Sequence, residues 1–397
     1  MKRKSVLLSI VVLFCCTIAN AAQDSLKISL LTCSPGPVIY EQYGHTAIRV
    51  QGKNLDLVFN YGVFDFNSPF FGLRFAQGKT DYMLGVERYN DFQESYKKRG
   101  SYIFSQELLL SQDKLDRLYT MLMENSMPTR RKYRYNIFYK NCTTCALDII
   151  FRACGTVPHY PVPEQQVTTR EMVHKYNEKY RYSKTGIDFL LGSSADTLLS
   201  AENSYFLPLE AMNFASTVTN LFAPAKTIAE PQKPLEEPSN LLTPGQLMIL
   251  IFLTVLLICS VEWYRGNIWW GIDIAIFGTQ GILGLIILFM VLFSEHPTTS
   301  PNFLLIILNP VPLCFLPATL LKLKREKLDY FLIIEAVASI GFILIHQILP
   351  QEFDIVTVIF AATIALRSLS NILISFFAKK IIERRNNYIK QNHRVFN

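Results

Sequence analysis

The sequence predicts an α+β exported domain followed by an all-α domain of five transmembrane helices. Three observations carry this: a secretory leader, an exported stretch with strand alternation and one amphipathic helix, and five apolar runs of spanning length. Lys2-Arg3-Lys4, the apolar run from Val6 to Phe14 and the small-residue site Ala19-Asn20-Ala21 read as a signal peptide over residues 1–21. Cys15 and Cys16 fall within it, and bulky Phe14 before Cys15 argues against a lipoprotein signal. Residues 22–222 have ordinary globular composition and suffice for one sizeable core. Residues 223–245, rich in Pro, Lys and Glu, read as a linker.

In the exported stretch, Tyr43-Gly44-His45-Thr46-Ala47-Ile48-Arg49-Val50 puts a histidine at the mouth of an alternating strand. After the turn Gly52-Lys53-Asn54, a second strand runs from Leu55 to Phe59 and ends at Asn60-Tyr61-Gly62. Antiparallel pairing brings Asn60 near His45, where a carboxamide can fix the imidazole tautomer. Two plainer readings stand beside this one: Asn60 as a turn residue before Gly62, and His45 as a satisfied core histidine. The aromatic run Phe64-Asp65-Phe66-Asn67-Ser68-Pro69-Phe70-Phe71-Gly72-Leu73-Arg74-Phe75 packs as a hairpin on the core or meets lipid through Phe70 and Phe71.

The strongest local signal follows. After Asn141 come Cys142, Cys145, Ala146, Ile149, Ile150 and Ala153, the stripe of a buried helix face. Asn141 suits the N-cap and Gly155 the C-terminal stop. A thiol in the first turn meets the helix dipole and free backbone N–H groups, both favouring thiolate. A helix-start cysteine with a strand-start histidine suits thiol acyl-transfer chemistry. Tyr43 and Asn141 are the polar neighbours available to substrate. Of the remaining exported cysteines, Cys145 lies one turn deeper as a packed thiol, and Cys154 is free or paired with Cys33. Cys142-x-x-Cys145 lacks the βαβ context of a redox pair and the second ligand pair of a zinc site, so no metal or cofactor is expected. His159 in a proline-rich loop and His174 on a solvated helix are weaker candidates for a base than His45.

Five apolar stretches follow at roughly 246–264, 269–293, 301–321, 329–349 and 353–377, with a basic tail over 378–397. Arg265 lies between the first two, and Lys322, Lys324, Arg325 and Lys327 lie between the third and fourth. Lys379, Lys380, Arg384 and Arg385 begin the tail. The alternate loops carry Glu295, Glu352 and Asp354 without Lys or Arg, so positive-inside places the tail in the cytoplasm and the exported domain outside. Much of the net charge of +7 resides in those loops. No basic–aromatic motif for nucleic acid, Gly-rich phosphate loop or metalloprotease helix is found. Inside the spans, Glu335 and Arg367 differ in depth by about a turn, which predicts an ion pair between them.

Leu30-Leu31-Thr32-Cys33-Ser34-Pro35-Gly36, Tyr43 through Arg49, Phe59-Asn60-Tyr61-Gly62 and Tyr135 through Thr144, with the five-span architecture, resemble the Lnb family of lipoprotein N-acyltransferases of Bacteroides-type bacteria. The His-before-Cys order is also similar to permuted papain-like enzymes that move acyl chains through a cysteine thioester. Their helix opens with an Asn-Cys pair, as Asn141-Cys142 does here, and their third polar residue is often His where Asn60 stands. The resemblance implies a papain-like catalytic domain on the periplasmic side of the cytoplasmic membrane, with Cys142 as nucleophile, His45 as base and Asn60 as orienting residue. It implies a membrane phospholipid as acyl donor and a diacylated lipoprotein N-terminus as acceptor. The rival classes are a membrane-anchored cysteine peptidase or amidase acting on cell-wall peptides and a non-enzymatic membrane sensor or scaffold.

Overall fold

The computed structural model describes residues 25–395, apart from 157–158, 164, 237, 239–240 and 325–328. The leader with Cys15 and Cys16, the loop cations Arg325 and Lys327, and the side chains of Lys324 and of the tail lie outside the described residues. The chain forms two compact units. One comprises the chain up to Phe71, Thr80–Pro163 and Ser200–Leu235; the other comprises Gly72–Lys79, Glu164–Leu199 and Glu236–Asn397.

The first unit is α+β. Its strands are β1 (Lys27–Cys33), β2 (His45–Gly52), β3 (Leu55–Val63), β4 (Asp81–Arg88), β5 (Ile103–Glu107), β6 (Lys132–Arg134) and β7 (Lys226–Ala229). They form one sheet in the order β6-β4-β3-β2-β1-β5-β7, and every neighbouring pair is antiparallel. β7 comes from the Pro-, Lys- and Glu-rich stretch read as a linker, which here lends a short edge strand to β5. The central strands are covered on both faces, because alternate residues feed two separate cores. Ile28, Leu30, Ile48, Val50, Phe59 and Tyr61 pack against the Gln112–Ser126 and Cys142–Cys154 helices. Leu31, Cys33, Ala47 and Val58 pack on the other face with Tyr89 and Phe92 of the Tyr89–Arg99 helix. Cys33 and Cys154 belong to different cores, and both are free thiols, as are Cys142 and Cys145.

Among the described residues, the second unit holds five helices long and apolar enough to cross a membrane: Pro244–Arg265, Trp270–Phe293, Phe303–Lys322, Tyr330–Ile348 and Ile355–Phe377. Two segments inserted in the exported sequence belong to this unit. In 72–79, the carbonyls of Phe75, Ala76 and Gln77 accept from His296 Nε2, Ser294 Oγ and the Glu295 N–H, at 2.9, 2.8 and 2.9 Å. In 164–199, the N–H groups of Gly192 and Ser193 donate to the carbonyls of Thr298 and Pro301, both at 2.8 Å. A Cβ on Gly192 would stand 2.4 Å from the Pro301 oxygen, so only glycine permits this approach. Arg170 ties the inserted segment together from within, donating to Asp188 and Asp196 and to the carbonyls of Leu191 and Gly192.

The ion pair expected between Glu335 and Arg367 does not form. Arg367 is fully buried and bonds Glu262 of the first span and Asp273 of the second; Asn371 also donates to Asp273. Glu335 instead accepts from Gln280 Nε2 at 2.7 Å. Depth along the span was the wrong criterion, because it left out which neighbouring helix the Arg367 face meets; there, two carboxylates already flank the guanidinium. Arg367→Leu is expected to lower the melting temperature of the detergent-purified protein sharply, since it strands two buried carboxylates, at about 3–5 kcal/mol. Adding Glu262→Gln and Asp273→Asn should restore part of that loss, and charge reversal at Glu335 should restore none.

Candidate active site

Three polar residues form a diagonal ladder on the sheet face covered by the Tyr89–Arg99 helix. In the β2–β3 register, Ile48 faces Phe59, so Asn60 lies diagonally from His45 on the same face. Asn60 Oδ1 bonds His45 Nε2. One strand further, Asn60 Nδ2 donates to Glu87 Oε1 at 3.1 Å. The His45 ring stacks on Tyr96 with centroids 6.0 Å apart, and the Arg99 guanidinium lies over the Tyr96 ring at 4.1 Å.

The thiol arrives from the other face. The Cys142–Cys154 helix packs on the opposite core, anchored by a 2.9 Å hydrogen bond between Thr143 and Thr46 hydroxyls. Its first residue reaches round the end of the sheet to meet His45. Gly62 makes this possible. A register shift between Asn60 and Val63 puts Gly62 in a bulge at φ 91°, where a Cβ would touch Cys142 Cβ at 3.5 Å and His45 Cε1 at 3.8 Å. Bulges beside functional sites re-aim side chains in this way. Gly44, at φ 80°, sets the other side of the entrance: a Cβ there would stand 2.6 Å from the Cys33 carbonyl oxygen.

Burial alone would raise the Cys142 pKa. The His45 charge, its hydrogen bond, the Thr46 backbone N–H and the Thr143 hydroxyl outweigh burial and hold the thiol below its ordinary value. Cys145 shows the contrast, since burial and the neighbouring Cys142 charge push it up to about 12. Its half-buried sulfur faces a separate cavity of about 620 Å³, walled in part by Phe138, Phe151, Tyr160 and Phe206. Burial raises Cys33, Tyr82, Tyr96 and Tyr135 and keeps them neutral around the pair. Among the described residues, no group of three His, Cys, Asp or Glu side chains could hold a metal.

Asn141 is the N-cap, and its carboxamide is fully occupied. Oδ1 accepts from the N–H groups of Thr143 and Thr144 at 2.8 and 2.9 Å; Nδ2 donates to the carbonyls of Ile137 and Phe206. Its contribution is to aim the helix, which leaves the Cys142 N–H as the first-turn amide that the cap does not use. Tyr43 is half-buried, within electrostatic reach of Tyr135. Phe70 and Phe71 separate in role. Phe70 is 79% exposed at φ 55°, whereas Phe71 stacks on Phe64 and meets Phe66 edge to face. From Phe66 the rings continue through Phe64 and Tyr82 to Tyr135, with centroid steps of 4.6, 4.9 and 3.9 Å. Tyr82 and Tyr135 both feel the Cys142 charge. His159 is exposed, and His174 is held by Asp188 at 2.6 Å.

Fold and site together define a membrane protein with an α+β domain carrying a paired thiol and imidazole. Residues 16–174 match the family model of the Lnb N-terminal periplasmic domain, and residues 236–380 match that of the Lnb transmembrane domain. The chain belongs to the Lnb family. No curated protein and no solved structure matches the chain.

Proposed function

We propose that the chain is a cysteine-dependent lipoprotein N-acyltransferase at the cytoplasmic membrane, with a phospholipid as acyl donor and the α-amine of a diacylated lipoprotein as acceptor. The observation that carries this reading is the Cys142–His45 pair, with its lowered thiol pKa and its imidazole held by Asn60. Asn60 takes Nε2 and leaves Nδ1 to serve the thiol. The Cys142 thiolate attacks the donor ester carbonyl, and the Cys142 N–H stabilises the developing oxyanion. The His45 imidazolium gives its proton to the departing glycerol oxygen, releasing a lysophospholipid. The neutral acceptor amine then attacks the thioester. His45 takes its proton, the amide forms and the Cys142 thiolate is regenerated.

Lipid as substrate is supported by the ring path, which runs from exposed Phe66 to the thiol and passes a surface where Val38, Ile39 and Tyr40 are also exposed. A periplasmic active site with a cytoplasmic C-terminus is supported by the inserted segments. They bond to the 294–301 loop, and Thr185 bonds Asp354 at 3.2 Å, so the acidic loops share the exported side. With five spans, the tail then falls on the other side.

The decisive test incubates the purified protein with acyl-labelled phospholipid, then with a diacylated lipopeptide. Label should appear on Cys142 as a thioester and move to the peptide amine. Cleavage of cell-wall peptide with no label on Cys142 would instead favour an amidase. Phe70→Ser should lower the rate on phospholipid vesicles several-fold with little change in melting temperature. Phe71→Ser should lower both, because its ring is packed.

A further inference from the structure

We propose that Glu87 is a positioning residue for the thiol–imidazole pair, the outermost member of a Glu87–Asn60–His45–Cys142 relay. The inference rests on the Cys142–His45 reading above and adds a carboxylate from a strand that bears no recognisable motif. A carboxamide beside a histidine can present either its oxygen or its NH2 group, and only the oxygen holds the Nε2–H tautomer. Nothing in Asn60 itself decides between them. Glu87 does, because a carboxylate only accepts: with Glu87 Oε1 at 3.1 Å from Nδ2, the amide must turn Oδ1 toward His45. The sheet enforces the alignment. Val58 pairs with Glu87 and Asn60 with Gly85, so Glu87 and Asn60 are diagonal neighbours on the His45 face.

The carboxylate also contributes a minor part of the local field. Glu87 acts electrostatically on Cys33 and Tyr96, from β1 and the Tyr89–Arg99 helix, and Arg99 opposes it there. At the thiol end Tyr82, Tyr133, Tyr135 and Cys145 feel the Cys142 charge, as do Cys33 and Tyr96, and burial favours all of them neutral. Glu87 therefore acts on the thiol through geometry, by holding the Asn60 carboxamide that holds the imidazole.

The test reads Cys142 directly, by its rate of iodoacetamide alkylation against pH in the full-length protein, beside kcat and KM for acyl transfer. In Glu87→Ala the alkylation midpoint should rise by about one pH unit, which slows the reaction about tenfold below it. kcat should fall about tenfold with KM unchanged. Glu87→Gln can accept from Asn60 Nδ2 but can also donate, so it no longer compels the amide and should recover only part of the lost kcat. In an Asn60→Ala background, Glu87→Ala should add nothing. A Glu87→Ala profile that overlays the wild type, or an equal further loss in the Asn60→Ala background, would overturn the relay. Alkylation needs no lipid, so a shifted profile with no acyl transfer would keep the relay and reject the reaction, whereas transfer with an unshifted profile would do the reverse.

Discussion

Cys142→Ser is expected to abolish acyl transfer, by about 10⁴-fold or more, while leaving the melting temperature within a degree or two of the wild type. The two parts have separate causes. Serine fits the first turn of a helix whose cap is made by Asn141 and Thr144, so the fold keeps its supports. An alcohol, however, is far less acidic than a thiol. The groups that lower the Cys142 pKa cannot produce a useful alkoxide near neutral pH. The wild-type thiolate should persist below the ordinary cysteine range, so reactivity falls only as pH drops through the lowered value. Cys145→Ser should retain substantial activity, because a thiol pushed up to about 12 is protonated at working pH. Rates from labelled phospholipid to lipopeptide, with the two variants in parallel, provide the check. Greater sensitivity at position 145 than at 142 would overturn the assigned nucleophile.

Gly44→Ala is expected to be the most damaging conservative change in the sheet. At φ 80° any side chain is strained, by about 1–2 kcal/mol, and the added methyl would press on the Cys33 oxygen from 2.6 Å. Backbone cannot rotate away as a side chain can, so β2 must shift from β1 where Cys33 pairs with His45. A total cost of about 2–5 kcal/mol follows. The imidazole moves with the strand. Thermal unfolding should therefore come earlier, and Cys142 alkylation near neutral pH should slow even well below the melting transition. Unchanged unfolding and alkylation together would mean that this turn does not hold His45.

How far the residues announce their roles depends on whether a role is local. The five spans are legible because each is a continuous apolar run, and their bounds fall within a few residues of those expected. The Cys142 helix is legible through its cap, its stripe and Gly155, which adopts φ 74°. Asn60 could be approached from a hairpin two strands wide. Glu87 could not: it stands on a third strand, between Val86 and Arg88, where no motif marks it. Gly62 reads as a turn glycine, and only the bulge shows that its φ of 91° serves the point where groups from opposite faces meet. In the membrane, Arg367 and Glu335 were visible as buried charges, but the partner of each was set by helix facing, which hydropathy does not encode. The docking of 72–79 and 164–199 pairs backbone groups of the inserted segments with distant groups such as Ser294, His296 and Asn302, and a backbone carbonyl leaves no mark in a sequence.

That docking bears on how the protein could be cut. A soluble fragment ending at residue 222 would keep both inserted segments but lose the loops that satisfy them. The amides of Gly192 and Ser193 and the carbonyls of Ala76 and Gln77 would lose these partners, and the Phe75 carbonyl would lose His296 while keeping the Gly78 N–H. It would also lose β7 and leave a side of β5 open to pairing with another chain. Excision at the apparent linker thus removes part of the scaffold, and the fragment is expected to be aggregation-prone where the intact chain is not.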